Sequence, residues 1–292
     1  MIIENVDPRY SVGMYTRTMR PLVVGIAGGS GSGKTYLSRL IVERLGEKNA
    51  AILSMDQYFK SQTEVEICAG TINFDHPSHL DFRKLISDVK KLRNGKSVLV
   101  PLYDFQTMVQ QPNAVRIHPR PILVVEGLFI LNEPMVSLCD ITCFLDVATD
   151  ERLLGRILRD IKERGASIED VIDRYLRFVR ASYQIFVEPT KQNADVIVDF
   201  TYHRAFFTES LIHLLRDYIV GEPTLEDFVH KLRTESFHAG LHPEEGFMSL
   251  TSDIFEVAKS YPEKAQLRDI QHPLSSPAAA SLGKKRHRNH NS

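Results

Sequence analysis

The sequence has no tryptophan and only three cysteines in 292 residues, Cys68, Cys139 and Cys143. So few thiols cannot build a disulfide framework, and they suit a reducing compartment. Cys139 and Cys143 fall in or beside an apolar run, where they read as packing residues; two thiols alone make a poor metal site. An excess of one charge is also lacking: 36 basic side chains face 37 acidic ones, for a formal net charge of −1. No global field therefore draws the chain to nucleic acid or to a membrane surface, and affinity for any polyanion must come from local geometry. There is no run of about 18 apolar residues of the kind a transmembrane helix needs. Glu4, Asp7 and Arg9 precede any apolar stretch, unlike a secretory leader. The expected location is the cytoplasm.

What is present is the ordinary balance of a globular protein, with 43% hydrophobic and 25% charged residues. The length suits one large α/β domain, or one domain with an appendage. Residues 1–20 read as an irregular leader. Short β-rich or apolar runs then recur at Leu22–Ala27, Ala50–Ser54, Ile122–Val125, Ile141–Leu145 and Val196–Val198. Helical periodicity separates them: Leu37, Leu40, Ile41 and Leu45 before Gly46, then 81–94 with Asp81 as cap, 149–163, 168–187, and 204–220. Ser97–Pro101 and Val115–His118 predict a small antiparallel excursion with a polar loop between them. Five strands alternating with helices predict a three-layer α/β/α fold around a mainly parallel sheet. Beyond Gly221, residues 221–269 read as a partly helical extension. Residues 270–292 read as a disordered tail ending in Lys284-Lys285-Arg286-His287-Arg288, either simply solvated or able to bind a targeting receptor or a polyanion.

Gly28-Gly29-Ser30-Gly31-Ser32-Gly33-Lys34-Thr35 fits G-x-x-x-x-G-K-[ST], and it stands where the chemistry requires, after a buried strand and at the start of a helix. Glycines let the backbone curl until successive N–H groups face phosphate oxygens, and the helix N-terminus adds its positive end. Lys34 is placed to reach the β- and γ-phosphates and Thr35 to ligate Mg²⁺. This pattern leaves kinase, GTPase and ATP-driven motor open. Asp56 follows Leu53-Ser54-Met55 and so ends a strand expected beside the phosphate loop. Glu126 ends another at the same sheet edge, where open α/β sheets bind ligands. A carboxylate there can accept a hydroxyl proton or hold a metal ion, Asp56 and Glu126 both being candidates; each could instead cap a helix. Arg152, Arg156 and Arg159 share one helix face, which is either a solvated basic surface or a set of forks for phosphoryl oxygens.

Further motifs follow in a fixed order. They are Asp56-Gln57-Tyr58-Phe59, Asn73-Phe74-Asp75-His76-Pro77, Tyr103-Asp104-Phe105, Val125-Glu126-Gly127, Arg156, Arg159-Asp160, Glu163-Arg164-Gly165, Glu188-Pro189-Thr190-Lys191 and Ala194-Asp195-Val196-Ile197. Over roughly residues 20–200 the chain thus resembles the uridine–cytidine kinases, within the uridine kinase / phosphoribulokinase group of P-loop kinases. The resemblance implies ATP or GTP as donor, Mg²⁺ as cofactor, a kinase domain over 21–220 with a helical lid at about 149–167, and a homo-oligomer, dimer or tetramer. It implies Asp56 as the base for a nucleoside 5′-hydroxyl, Asp75 at the ribose hydroxyls, and Tyr103 and Phe105 as walls around the acceptor. Arg156 would contact the sugar, while Arg159 and Arg164 would approach the transferring phosphate. Small-molecule partners are expected, not nucleic acid or membrane.

The sequence departs from that family's pattern around the acceptor. Met108 stands where a base-reading histidine is usual, Ala166 where an arginine follows Arg-Gly, and Arg174 where a glutamine precedes Tyr175. Phe59 replaces an aromatic hydroxyl, and Asp199-Phe200-Thr201 replaces an Arg-Gly pair. Loss of hydrogen-bonding groups redirects specificity without removing phosphoryl transfer. Three readings stand: a kinase for uridine or cytidine, a kinase for another small hydroxyl acceptor (sugar phosphate, pantothenate, nicotinamide riboside or glycerate), or a nucleotide-binding regulator without transferase activity.

Overall fold

Alternation along the first strand decides the layering. In the computed structural model, which describes residues 20–63 and 72–221 together with Asp227 and His230, strand β1 (Leu22–Gly28) is buried along its whole length. Leu22, Val24 and Ile26 face one apolar cluster, and Val23 and Ala27 face the other. A strand buried on both faces belongs in the middle of a parallel sheet. It is flanked by β5 (Ile122–Glu126) and β6 (Ile141–Asp146), with β2 (Ala50–Ser54) outside β5 and β7 (Val196–Asp199) outside β6. All four pairings are parallel. The fold is the three-layer P-loop architecture.

On one face, α1 (Lys34–Leu45) contributes Leu37, Ile41 and Leu45, and α5 (Arg204–Val220) contributes Phe207, Leu211 and Leu215. On the other face lies α2 (Phe82–Arg93), presenting Leu85, Val89 and Leu92. Asp81 caps it as expected, its side chain accepting from the Lys84 N–H at 3.0 Å.

The antiparallel excursion is longer than the sequence suggests. β3 (Val98–Asp104) and β4 (Val109–Ile117) pair from Val98–Ile117 to Asp104–Val109, with a register shift between Pro101 and Leu102. The polar stretch expected to be loop is strand, because cross-strand pairing satisfies its backbone. The bulge at Pro101, which has no N–H to give, marks where the ladder breaks. The turn is thereby confined to residues between Asp104 and Val109.

Helix α3 (Thr149–Arg164) ends where Gly165 takes a left-handed conformation, and the Gly165 and Ala166 N–H groups both reach the Asp160 carbonyl. Helix α4 opens as Ile168–Arg174 and continues through π-helical turns at Tyr175–Val179 and Tyr183–Val187. Such widened turns are most common near functional sites. Cys143 is buried on β6 and Cys139 is half-buried; both thiols are free, and burial pushes each up to about 12, consistent with packing. Among the described residues no helix is long and apolar enough to cross a membrane. The expected leader, the extension over 221–269 and the basic tail lie, but for Arg20, Gly221, Asp227 and His230, outside the described residues.

Candidate active site

The glycines of 28–33 do two different jobs. Gly31 and Gly33 take φ of 84° and 87°, the left-handed region that the tight curl before α1 demands. Gly31 also has no room for a side chain, since a Cβ there would run into the Arg152 carbonyl, and a Cβ on Gly155 would lie 3.0 Å from the Gly31 oxygen. Backbone of α3 therefore rests directly on backbone of the phosphate loop. The Lys34 ammonium is buried and donates to the Gly29 carbonyl at 2.8 Å. Burial lowers its pKa to about 8, against the pull of Glu126 and Asp56.

Beside it, Thr35 Oγ1 donates to Glu126 Oε1 at 3.2 Å and Ser54 Oγ donates to the same oxygen at 2.6 Å. Neither carboxylate caps a helix. Burial and the neighbouring Asp56 push Glu126 upward, opposed by Lys34 and the two hydroxyls. Hard oxygen donors around a carboxylate under like-charge pressure fit Mg²⁺, which keeps most of its shell as water and substrate phosphate. Among the described residues no cluster of three His, Cys, Asp or Glu side chains forms a complete metal cage, and an ion shared with a nucleotide needs none.

Asp56 sits in a single 3₁₀ turn, Met55–Tyr58, directly after β2. That strand is not the neighbour of β1, since β5 intervenes, yet Asp56 still lines the same cleft as Lys34, Thr35 and Glu126. The turn is pinned on both sides of the carboxylate. Gln57 Oε1 accepts from the Tyr103 N–H at 2.8 Å, and Tyr58 Oη donates to buried Asp88 at 3.1 Å. No hydrogen bond or ion pair joins the Asp56 carboxylate to another described residue, which leaves it available to a substrate.

Arg156 reaches across the cleft from α3. Its Nη1 donates to Asp75 Oδ2 at 3.1 Å and to Ser30 Oγ at 2.9 Å, and Arg159 Nη2 approaches the same hydroxyl at 3.4 Å. Arg152 behaves differently from its two neighbours. It bonds the Val147 carbonyl and Thr149, and stacks 3.8 Å above the Tyr183 ring beside Gly29. Arg164 stacks 3.8 Å from the Phe105 centroid, and burial with Arg159 nearby lowers its pKa to about 10.

The far end of the cleft is aromatic. Phe59, Phe74 and Phe105 line it with Leu128, their rings 5.3–5.9 Å apart. Tyr103 is not a wall as expected. It is buried outside the cavity lining, its ring packed against those of Phe59, Phe74 and Phe105. Met108 is likewise not on the cleft. It occupies the hairpin turn with φ of 58°, and its carbonyl accepts from Gln62 N–H at 3.0 Å. Arg174 closes the first segment of α4 and does not line the cleft either. The cleft offers a cavity of only about 40 Å³, open to solvent.

These features are those of a P-loop kinase, and the match to known proteins is direct. The model of the phosphoribulokinase / uridine kinase family covers residues 23–205. The chain belongs to that family. It is accordingly a phosphotransferase. A uridine kinase of Oceanobacillus iheyensis is 38% identical over 181 residues, spanning 61% of this chain and 86% of the relative. One of Macrococcus caseolyticus is 41% identical over 178 residues, 60% and 86% of the two chains. Among solved structures, a Silicibacter sp. TM1040 protein assigned as a fructose transport system kinase gives a TM-score of 0.51 at 20% identity, over 63% of this chain and 93% of that one. At that identity the likeness speaks for the fold alone.

Three participants of this family member's site carry no role in the sequence reading. Phe74 and Leu128 complete the aromatic end, and Asp160 gathers the arginines of α3. Phe74 stands beside Asp75 in a quoted motif, and Asp160 is four residues from both Arg156 and Arg164. Those spacings are the signals that could have found them.

Proposed function

We propose that this kinase transfers the γ-phosphoryl group of ATP or GTP to the 5′-hydroxyl of a uridine- or cytidine-like nucleoside. The observation that carries the reading is the division of one cleft into two ends: a phosphate end built from Lys34, Thr35, Asp56, Glu126 and Arg159, and an aromatic end beside the Asp75–Arg156 pair. An aromatic slot suits a planar base, and a buried carboxylate next to it suits vicinal hydroxyls. The uridine kinases related to the chain favour the same acceptor.

The donor's phosphates would lie along residues 28–35. Its base would lie in the adjoining cleft of about 950 Å³, bordered by Thr149, Arg152, Tyr183, Thr201 and Tyr202. Thr35 and Glu126, with Asp56 close by, would hold Mg²⁺, which when bound neutralises charge on the phosphates. Asp56 takes the proton of the acceptor hydroxyl while that oxygen forms its bond to the γ-phosphorus. The bond from the γ-phosphorus to the bridging oxygen breaks in line, and the nucleoside diphosphate leaves with that electron pair. Lys34, Arg159 and Arg164 stabilise charge on the phosphoryl oxygens. Ligand pockets usually hold about 300–1,000 Å³, so a cavity of about 40 Å³ admits the acceptor only when α3 swings away. Its return excludes water and suppresses hydrolysis.

The test is release of diphosphate from Mg²⁺–ATP, with and without uridine or cytidine, in a coupled assay. Stimulation by either nucleoside is expected. Nucleotide binding without such stimulation would overturn the acceptor assignment. The absence of a polar reader at Phe59 and Met108 then favours a different hydroxyl acceptor, which a panel of sugar phosphates, pantothenate, nicotinamide riboside and glycerate would identify.

A further inference from the structure

Three of the arginines of α3, Arg156, Arg159 and Arg164, share one counter-ion. Asp160 is 6% exposed and lies among three guanidiniums. Arg159 Nε donates to its Oδ1 at 2.9 Å, and Arg164 Nη1 lies 3.3 Å from the same oxygen. Arg156 Nε faces Oδ2 at 3.3 Å, off the hydrogen-bond axis and with no other partner. Burial works against the charge of this carboxylate, but Arg159, Arg156 and Arg164 together hold it below the usual carboxylate range.

The three cations go on to different places. Arg156 bonds Ser30 in the phosphate loop and Asp75 at the acceptor end. Arg159 reaches Ser30. Arg164 lies on Phe105, a wall of the acceptor end, and Gln106 next to it donates to the Glu163 carbonyl at 3.4 Å. Asp160 is the one residue that all three arginines touch. Its backbone carbonyl also takes both N–H groups that terminate α3, which anchors the backbone while the carboxylate follows its three partners.

We propose that Asp160 is a positioning residue that couples the two ends of the cleft, holding Arg159 in its transfer position only when Arg156 and Arg164 are seated against the acceptor end. The proposal rests on the reading of the two ends given above. The physical reason is repulsion. Three guanidiniums this close, one buried and two partly shielded, repel one another, and without a shared anion they would splay apart. With Asp160 present, displacing any one shifts the carboxylate that holds the other two. An acceptor end from which Arg156 and Arg164 are displaced then leaves Arg159 misplaced, and the donor is spared from hydrolysis.

The test uses the full chain with Asp160→Asn, which keeps shape and removes charge, and Asp160→Glu, which keeps charge. Diphosphate release and phosphorylated acceptor are measured separately, and hydrogen exchange of residues 149–164 is followed with Mg²⁺ and a non-hydrolysable ATP analogue. In D160N, kcat should fall by about 10²-fold, the loss typical of a misplaced charge stabiliser. Donor Kd should change less than about threefold, and more than one diphosphate should form per acceptor phosphorylated. D160E should recover about tenfold of the lost kcat. Unchanged kcat with one-to-one stoichiometry in D160N would overturn the proposal. So would equal losses in D160N and D160E accompanied by loss of donor binding, the pattern of a merely structural residue. If D160N does not fold, D160E alone decides: a shifted stoichiometry in a stable D160E supports coupling, and wild-type behaviour or loss of all function refutes it. If the wild-type chain phosphorylates no nucleoside, the acceptor assignment fails separately. The exchange experiment then decides for Asp160, since analogue-induced protection of 149–164 that survives in D160N sinks the proposal and its loss sustains it.

Discussion

Asp75 and Arg156, 81 residues apart in sequence, meet as a buried ion pair at 3.1 Å, both side chains less than a tenth exposed. The carboxylate proposed for the acceptor hydroxyls thus also holds an arginine of α3. Removing it strands a guanidinium, and breaking a buried pair costs about 3 kcal/mol or more. Asp160 still faces Arg156 and moderates that loss. Asp75→Ala should lower the melting temperature by several degrees and raise the acceptor KM at least about tenfold. Thermal unfolding and steady-state kinetics on one preparation check both. A double-mutant cycle with Arg156→Met should show a coupling of about 1 kcal/mol or more.

Asp56 stands on a turn fastened through Gln57 and Tyr58, with no partner of its own among the described residues. Changing it to Asn should leave that turn in place and lower kcat by about 10²–10⁴-fold, the range of a lost general base. Donor affinity, read by fluorescent nucleotide titration, should stay within about twofold. Near-normal turnover in Asp56→Asn removes this residue from the role.

Met108 holds a left-handed conformation in the hairpin turn instead of facing the acceptor. A non-glycine residue pays about 1 kcal/mol there. Met108→Gly should accordingly raise stability slightly in urea titrations and change kcat/KM for the acceptor by less than about twofold. Phe105→Ala, by contrast, should raise the acceptor KM, because it removes both a wall of the cleft and the seat of Arg164.

The depressed pKa of Asp160 gives a pH dependence of known sign. Its folded value lies below the unfolded value of about 3.9, so the unfolded chain binds the proton more readily in that window. The stabilisation is complete above the unfolded value and fades as pH falls through the folded one. Asp160→Asn should flatten the loss of stability below about pH 4, measured by denaturant unfolding across a pH series. An unchanged slope would show that other carboxylates carry the acid transition.

Much of the fold was legible because its signals are local. The five apolar runs are parallel strands, Asp81 caps its helix, and Gly165 ends α3 where an Arg-Gly turn was expected. The phosphate loop, Asp56 and Glu126 converge because strand ends of one parallel sheet share an edge. What escaped depended on pairings that sequence does not display. The hairpin extends through polar residues because cross-strand bonds override their composition, and Met108 falls in its turn rather than on the cleft. The order of strands is a long-range outcome, so β5 lies between Asp56's strand and the phosphate loop. Arg152, Arg156 and Arg159 do share a face of α3, but which one meets Asp75 and which one stacks on Tyr183 is settled by partners far along the chain.

The contact between Gly31 and Gly155 sets a hard end-stop. Side chains yield when pressed, by changing rotamer, whereas two peptide backbones in contact do not. On the closure proposed for α3, a helix halting against such a stop would return to the same depth each time. The arginine forks on it are thus indexed to the phosphate cradle with little play, much as a machine tool is zeroed against a fixed shoulder. Accuracy in this kinase is then a property of what two positions omit.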